Sequence, residues 1–391
     1  MYFTSKYLLM TIIIEKAGDG AAKAGQVTRF HPKTNYCGTP KGSCGHIHKQ
    51  IIMQKPLLNK PNKTIALCLV TISCLIGFWV SGPPTCRGNA EPSIEPNVKP
   101  NELGKLLILE YHRIGQESSN WTRSPQDFRQ DLELLYSSGY RSIAISDYLQ
   151  GRIDIKPGMH PVIFTFDDSS PGQFRYLVKN GKKEIDPDCA VGILLDFKKS
   201  HPDFGAKATF FVLPAADEPN KLFGQPEFES EKLAHLAQLG FEIGNHTLWH
   251  ANLKKYEAET VRKQLALAVQ AIHSAVPGYD VQALALPFGL YPKDISWAVE
   301  GSYGKVSYRN AAILKVTGGP ARSPFNIQWD PLHLPRIQVA GKSLQQLIHY
   351  YEKHPEDIFT SDGRSDTVAF PAGLKPEFDT SRFKSVQVRV Y

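Results

Sequence analysis

Two adjacent carboxylates are the first side chains in this sequence whose types and placement indicate chemistry. Asp167 and Asp168 directly follow the apolar run at residues 162–166. Acids at the end of a buried strand are costly unless they are paired, capped or bound to a cation. A turn with helix-capping aspartates is an equally good interpretation, because Ser, Ser, Pro and Gly follow them.

A pair of histidines is the second signal. His246 and His250 lie four residues apart, so both can reach one ion from a helical turn or a tight loop. Such a pair is weak evidence alone, and the absence of a Glu after His246 excludes the HExxH helix of zinc proteases. One Asp with two His would suit zinc or a similar divalent ion and leave positions open for water and substrate.

Two further strand ends carry candidate residues. His112 follows the apolar run at residues 106–111, where a lone histidine is more often structural. The segment 284–289 (LALPFG) turns sharply after another apolar run, and its Pro and Gly can hold a backbone N–H close to a developing oxyanion.

Short apolar runs that alternate with amphipathic helices must position these residues. Strands are predicted at residues 106–111, 141–145, 162–166, 208–213, 241–244 and 281–286. Helices are predicted after Ser124-Pro125, over 229–239 and over 257–276. The alternation predicts an α/β fold, either a parallel barrel or a related sheet, with the chemistry where strands end.

The charge of the chain is unevenly distributed. Residues 1–63 contain ten Lys/Arg and two Asp/Glu, whereas the remainder contains 35 basic and 36 acidic residues. The main body therefore lacks the positive surplus that a nucleic-acid partner requires. Of six cysteines, only Cys86 and Cys189 lie outside the first 85 residues, which excludes a disulfide scaffold.

An uncharged apolar stretch at residues 64–80 comes after three lysines, as in an export signal or an uncleaved membrane anchor. The positive-inside rule would place residues 81–391 outside the cytoplasm, either secreted or anchored to a bacterial cell membrane. The predicted organisation, from the amino terminus, is a doubtful or poorly ordered extension at 1–52, a signal peptide or anchor at 53–85, a linker at 86–104 and the catalytic domain at 105–391.

The order TFDD, NHTLWH and LPFG resembles the polysaccharide deacetylase superfamily (NodB homology, carbohydrate esterase family 4) over roughly residues 105–340. The resemblance implies a distorted (β/α) barrel of the NodB type. It assigns Asp167 as the catalytic base and Asp168, His246 and His250 as ligands of a divalent metal, zinc in the first place, with cobalt or nickel as alternatives.

The YH pair before TFDD resembles the circularly permuted branch that includes poly-N-acetylglucosamine deacetylases, in which the acid histidine would be His112. His333, in Leu332-His333-Leu334, is the fallback candidate for the acid. The Phe288 N–H would stabilise the oxyanion. Trp249 would either stack on a sugar face or fill the core.

The sequence departs from the family in ways that affect the base. Ser169 replaces the usual Gly after TFDD, and Ala285 replaces the common Arg before the Pro of the LPFG turn, so how Asp167 is held is left open. The predicted function is removal of N-acetyl groups from N-acetylglucosamine units of an extracellular or cell-wall polysaccharide. O-acetyl esterase activity and non-catalytic carbohydrate binding on the same fold are the alternatives.

Overall fold

The computed structural model describes residues 99–116, 119–316 and 318–391. The predicted extension (1–52) and signal or anchor (53–85) lie outside the described residues. No helix within the described ranges is long and apolar enough to span a membrane.

A mostly continuous parallel sheet forms the centre of the domain. Its eight strands are β1 Leu107–Tyr111, β2 Tyr140–Ser142, β3 His160–Phe166, β4 Thr209–Val212, β5 Glu242–Asn245, β6 Ala283–Ala285, β7 Ala312–Leu314 and β8 Ile337–Gln338. The order is β7-β6-β5-β4-β3-β1-β8, and β2 pairs with the first residues of β3. Neighbouring strands of this sheet pair in parallel.

The segment that leads into β8 brings the two edges of this sheet together. Leu334 bridges Leu314 of β7, and three residues later Ile337 pairs with Leu109 of β1. The sheet therefore curls into a distorted barrel that closes through a short irregular segment. This confirms the α/β barrel expected from the alternation of apolar runs and helices.

Helices cover the outside of the sheet. They comprise Pro125–Ser137, Ile145–Gln150, Ala190–Ser200, Glu229–Gln238, Ala258–Ala275, Ser296–Val299 and Ser343–Lys353. The predicted cap is confirmed, because the Ser124 side chain accepts a hydrogen bond from the Asp127 N–H. Paired short strands flank the barrel: Arg113–Ile114 with Thr122–Arg123, Tyr176–Lys179 with Lys182–Ile185, Glu300–Tyr303 with Val306–Arg309, and Thr367–Phe370 with Gln387–Val390.

Side chains on the strands alternate between the two faces of the sheet. Leu107, Leu109 and Tyr111 of β1 belong to the core beneath the helices. Leu106 and Ile108 belong to a second apolar cluster that includes interior residues of several strands. The next positions on this inner face are polar, so the barrel interior changes from apolar to ionisable as it approaches the carboxyl ends of the strands.

Two sequence predictions require correction. The linker predicted at 86–104 ends inside the domain, because Glu102 and Leu103 are buried. The strand predicted at 141–145 is shorter, since Ile145 begins a helix. The carboxyl-terminal segment also contributes to the core, because Phe359, Val368 and Phe370 are fully buried.

Candidate active site

The carboxyl ends of three strands converge on one polar cluster. Asp167 and Asp168 follow β3, His246 follows β5, and His112 follows β1. The β1–β3 register pairs Tyr111 with Phe166, and the Asp167 N–H donates to the Tyr111 carbonyl. His112 and Asp167 are therefore brought together by strand pairing.

Asp168, His246 and His250 form a candidate metal site. Their potential ligand atoms lie within 4.8 Å of one another. Asp168 Oδ1 is 3.3 Å from His246 Nε2 and 3.5 Å from His250 Nε2. This oxygen is buried and has no hydrogen-bond partner among the described residues, which is a costly state that a cation would relieve.

The tautomer of His246 also fits a metal ligand. Its Nδ1–H donates to the Ala285 carbonyl oxygen at 2.8 Å, which leaves Nε2 to face Asp168. Burial would lower the pKa of His246, but Asp167 and Asp168 outweigh it and raise the pKa. Burial and the nearby His246 lower the pKa of His250 to about 4, so this ring is neutral at physiological pH. The donor set of one carboxylate and two imidazoles therefore suits a divalent cation.

Arg336 holds the predicted base, a role that the sequence motifs did not assign to it. Its Nη1 and Nη2 donate to the two oxygens of Asp167, each at 2.7 Å, and both side chains are buried. Burial would raise the pKa of Asp167, but the Arg336 guanidinium outweighs it and holds the pKa well below its usual range. This chain has Ala285 where the family commonly has an arginine. Arg336, in the segment before β8, takes the place of that arginine beside the base. The only signal was a single basic residue inside the run LPRIQV.

Glu110 is a second ionisable residue that the sequence motifs did not reveal. It lies on the inner face of β1, is fully buried, and groups with His112 and Asp167 so that potential ligand atoms are within 4.8 Å. Its Oε1 is 3.5 Å from His112 Nε2 and 3.6 Å from Arg336 Nη2. A charged residue in the otherwise apolar run LLILEY was the available signal.

His112 is held by neighbours on several sides. Ser170 Oγ and Gln173 Nε2 donate to its carbonyl oxygen at 3.3 and 2.5 Å. The Trp121 ring makes an edge contact with the imidazole at 4.7 Å between centroids. Burial lowers the pKa of His112, and the nearby Asp167 and Asp168 oppose this effect.

Strained backbone conformations concentrate at this site. Positive φ angles occur at Asp168, Ser169, Thr247, His250 and Phe288, although side chains other than glycine rarely adopt them. Ser169 tolerates the position of the usual Gly, and its hydroxyl accepts the Leu213 N–H at 2.7 Å. Strain of this kind persists where surrounding structure imposes it and is common at functional sites.

The other predicted residues are placed differently. The Phe288 ring is 59% exposed and lies 4.6 Å from the His250 ring. Trp249 is 42% exposed, so the core-filling alternative is wrong. His333 is exposed, pairs with Asp330 at 2.7 Å, and lies with its ring tilted against Tyr291 at 5.0 Å between centroids. Of the two candidate acids, His112 lies beside Glu110 and Asp167, whereas His333 contacts neither carboxylate in the described structure.

The described domain is thus a distorted parallel α/β barrel with a candidate metal site and a buried acid–base cluster at its carboxyl rim. Residues 154–304 match the family model described as polysaccharide deacetylase. This part of the chain is therefore similar to polysaccharide deacetylases, the family that the sequence motifs resemble.

The chain is also similar to individual proteins, two of them curated relatives and one a solved structure. The chain is 26% identical over 172 residues to YxkH of Bacillus subtilis (strain 168), covering 43% of this chain and 52% of the relative. It is 28% identical over 138 residues to the chitooligosaccharide deacetylase of Bradyrhizobium sp. (strain ANU 289), covering 35% and 50%. The chain thus spans about half the length of these curated relatives. The Streptococcus pyogenes deacetylase PplD aligns with a TM-score of 0.45 at 19% identity, covering 63% of this chain and 97% of that one.

Proposed function

We propose that this protein is a metal-dependent hydrolase that removes N-acetyl groups from N-acetylglucosamine units of an extracellular or cell-wall polysaccharide. The observation that carries the proposal is the placement of two functional sets side by side. Asp168, His246 and His250 can share one cation, and the adjacent Asp167 and His112 are a carboxylate and an imidazole suited to proton transfer.

Asp168, His246 and His250 would hold a divalent ion, with zinc proposed first and cobalt or nickel as alternatives. The bound ion would supply Lewis-acid chemistry, polarising the acetamide carbonyl and lowering the pKa of water towards about 7. The Ala285 carbonyl accepts the Nδ1–H of His246, so Nε2 is the nitrogen that would face the ion.

Asp167 accepts the proton of the attacking water as the water oxygen bonds to the carbonyl carbon. Arg336 keeps Asp167 ionised for this step and fixes its orientation. His112 donates a proton to the amide nitrogen as the C–N bond breaks, because an unprotonated amide nitrogen is a poor leaving group. The products are acetate and an amino sugar. The Phe288 backbone N–H is the proposed donor to the developing oxyanion.

Exposed aromatic rings support a sugar substrate. Trp121 contacts the ring of His112, and Phe288 contacts the ring of His250. Trp249 is also exposed next to His250. Aromatic faces of this kind can pack against the apolar face of a sugar ring. The extracytoplasmic location follows from the apolar stretch at residues 64–80 and is part of the proposal.

The test is acetate release by the full chain after reconstitution with Zn²⁺, Co²⁺ or Ni²⁺, on β-1,6- and β-1,4-linked N-acetylglucosamine oligomers. We expect Asp167→Asn to retain the metal and lose turnover, and His246→Ala to lose both. His349→Ala is the matched control, because His349 is an exposed histidine that pairs with Glu352 outside the site.

Metal-dependent release that both site variants lose would support the proposal, and the preferred linkage would identify the polymer. Full metal content and activity in Asp167→Asn or His246→Ala would contradict the assigned roles. Stoichiometric metal without acetate release from either polymer would contradict N-deacetylation and favour an O-acetyl substrate or carbohydrate binding.

A further inference from the structure

A single side-chain amide, that of Gln173, connects the two residues proposed to transfer protons. Its Nε2 donates to the carbonyl oxygen of His112 at 2.5 Å and also to the carbonyl oxygen of Asp167. Backbone carbonyls only accept hydrogen bonds, so the amide nitrogen with its two hydrogens must face them. The Gln173 side chain is fully buried. One neutral residue therefore links the backbone of the proposed acid to that of the proposed base.

The two carbonyls lie just past the end of a strand pairing. Tyr111 and Phe166 are the last paired residues of β1 and β3, and the Asp167 N–H donates to the Tyr111 carbonyl at 3.0 Å. Past this bond the two strands separate, because Arg113 pairs with the strand Thr122–Arg123 instead. The Gln173 amide therefore fixes the distance between the acid and the base where the sheet no longer does.

Gln173 is held in place by the long segment between β3 and β4, residues 167–208. The first two residues of the helix Ala190–Ser200 donate their backbone N–H groups to the Gly172 and Gln173 carbonyls, at 2.9 and 3.0 Å. A Cβ on Gly172 would lie 1.8 Å from the Ile114 carbonyl oxygen, so glycine is needed for the segment to approach the chain that follows β1. The segment thus holds Gln173 against the end of β1.

Packing alone does not explain an amide at this position. Gln173 Oε1 is buried and has no hydrogen-bond partner in the part of the chain that the structure describes. A buried acceptor without a partner costs free energy, which an apolar side chain of similar size would avoid. Ser170 Oγ already donates to the His112 carbonyl at 3.3 Å, so Gln173 is not needed merely to satisfy that oxygen. The feature that distinguishes the amide is its bridge between the two carbonyls.

We propose that Gln173 is a positioning residue: by bridging the His112 and Asp167 carbonyls, it sets the acid and the base at the separation that one acetamide group requires. The inference rests on the proposed deacetylation. In that reaction Asp167 takes a proton from the attacking water and His112 gives one to the leaving nitrogen, so one substrate group must reach both. Gln173 transfers no proton itself and acts only through the backbones of these two residues.

The test compares Gln173→Met with the wild type in the full, metal-reconstituted chain. Methionine is similar in size and donates no hydrogen bond. We expect kcat for acetate release, per folded molecule, to fall about 10- to 100-fold, because small displacements of reacting groups are costly. KM should change little, since Gln173 is fully buried and does not reach substrate. Bound metal should stay stoichiometric, because Gln173 makes no hydrogen bond to the side chain of a proposed metal ligand.

Asn310→Leu is the matched control. Asn310 is also a buried amide: its nitrogen donates to the Ala298 carbonyl at 2.7 Å, and its oxygen has no partner among the described residues. It lies just before β7, at the amino ends of the strands, whereas the site lies at their carboxyl ends. We expect Asn310→Leu to lower thermal stability and to leave kcat per folded molecule unchanged. Gln173→Asn keeps the amide on a shorter side chain, so its kcat should lie between those of the wild type and Gln173→Met.

A second readout does not require turnover. The Asp167 N–H, which donates to the Tyr111 carbonyl, reports whether the ends of β1 and β3 stay together. We expect hydrogen exchange of this N–H to be about tenfold faster in Gln173→Met than in the wild type, because the loss of two hydrogen bonds makes local opening easier. In Asn310→Leu, exchange of the Asp167 N–H should match the wild type.

The outcomes separate this inference from the proposed function. An active wild type with an unchanged kcat in folded Gln173→Met would overturn the inference alone, as would an equal loss of kcat in Asn310→Leu or a loss of bound metal from Gln173→Met. If Gln173→Met does not fold, wild-type kcat and wild-type Asp167 exchange in Gln173→Asn would overturn it. If the wild type releases no acetate, the proposed function fails, and identical Asp167 exchange in the wild type and Gln173→Met would overturn the inference as well.

Discussion

Two buried arginine–aspartate pairs lie on opposite faces of strand β1. On the outer face, Arg123 donates to both oxygens of Asp131, at 2.9 and 2.6 Å, and Tyr111 Oη donates to the same carboxylate. Arg123 also donates to the Gly341 carbonyl. Each member of this outer pair therefore has specific partners, as expected for a buried ion pair that fastens a helix to a strand.

The inner pair, Arg336 with Asp167, has equally good geometry but leaves a neighbour uncompensated. Arg336 donates to Asp167 at 2.7 Å twice and to the Lys315 carbonyl. Glu110 stands beside it without a hydrogen bond to either oxygen in the described structure. Geometry alone therefore does not separate a structural pair from a functional one. The distinguishing feature is the unsatisfied group beside the inner pair.

Replacing Arg336 should have the largest effect. Arg336→Met leaves Asp167 and Glu110 buried without a cation, so we expect the free energy of unfolding to fall by about 3–5 kcal/mol. Acetate release per folded molecule should fall at least about 100-fold, because Asp167 is no longer held ionised. Urea unfolding and acetate assays measure the two effects. Arg336→Lys retains the charge without the planar guanidinium, so its stability and activity should lie between those of the wild type and Arg336→Met. A stable and fully active Arg336→Met would show that the inner pair has no role in the reaction.

Breaking the outer pair should affect stability alone. Asp131→Asn leaves Arg123 buried without its anion, and we expect a loss of about 3–5 kcal/mol in the free energy of unfolding. Acetate release per folded molecule and its pH profile should match the wild type. A large selective loss of activity in folded Asp131→Asn would show that the outer pair also serves the reaction.

The pH dependence of stability should further distinguish the surroundings of the inner pair from those of the outer pair. The pKa of Glu110 is about 7 when folded, above its usual value of 4.5, so the folded state binds a proton that the unfolded state has released. The stabilisation is complete below about pH 4.5 and is lost as pH rises to about 7. Relative to Glu110→Gln, the wild type should lose a few kcal/mol across this window. If the free energy of unfolding, measured with urea, changes equally with pH in the wild type and in Glu110→Gln, the assigned environment of Glu110 is contradicted.

Most strands and the motif residues could be predicted from the sequence, because each has a local signal. The apolar run before Asp167 and the Ser124-Pro125 cap are both recognisable within a few residues. The strands Ala312–Leu314 and Ile337–Gln338 were missed, since they are only three and two residues long and too short for periodicity.

The partners of the motif residues could not be predicted, because they depend on tertiary contacts. Arg336 is 169 positions from Asp167 in the chain, and only closure of the barrel brings them together. Glu110 was visible as a charge in an apolar strand, but its face could be decided only from the β1–β3 register. The local sequence thus indicated which chemistry to expect. Which charged residues surround the base could be learned only from the folded structure.

The smallest effect should come from Tyr111, which stands between Glu110 and His112 in sequence but faces the other side of β1. Tyr111→Phe removes the hydroxyl that donates to Asp131 at 3.2 Å, and the ring contacts with Phe128 and Phe166 are kept. We expect a loss of about 0.5–1.5 kcal/mol in the free energy of unfolding. Because strand neighbours point to opposite faces, kcat and the pH–rate profile should not change. A shifted pH limb in Tyr111→Phe would mean that the two faces of β1 are electrostatically coupled, and the division between a structural and a functional pair would then fail.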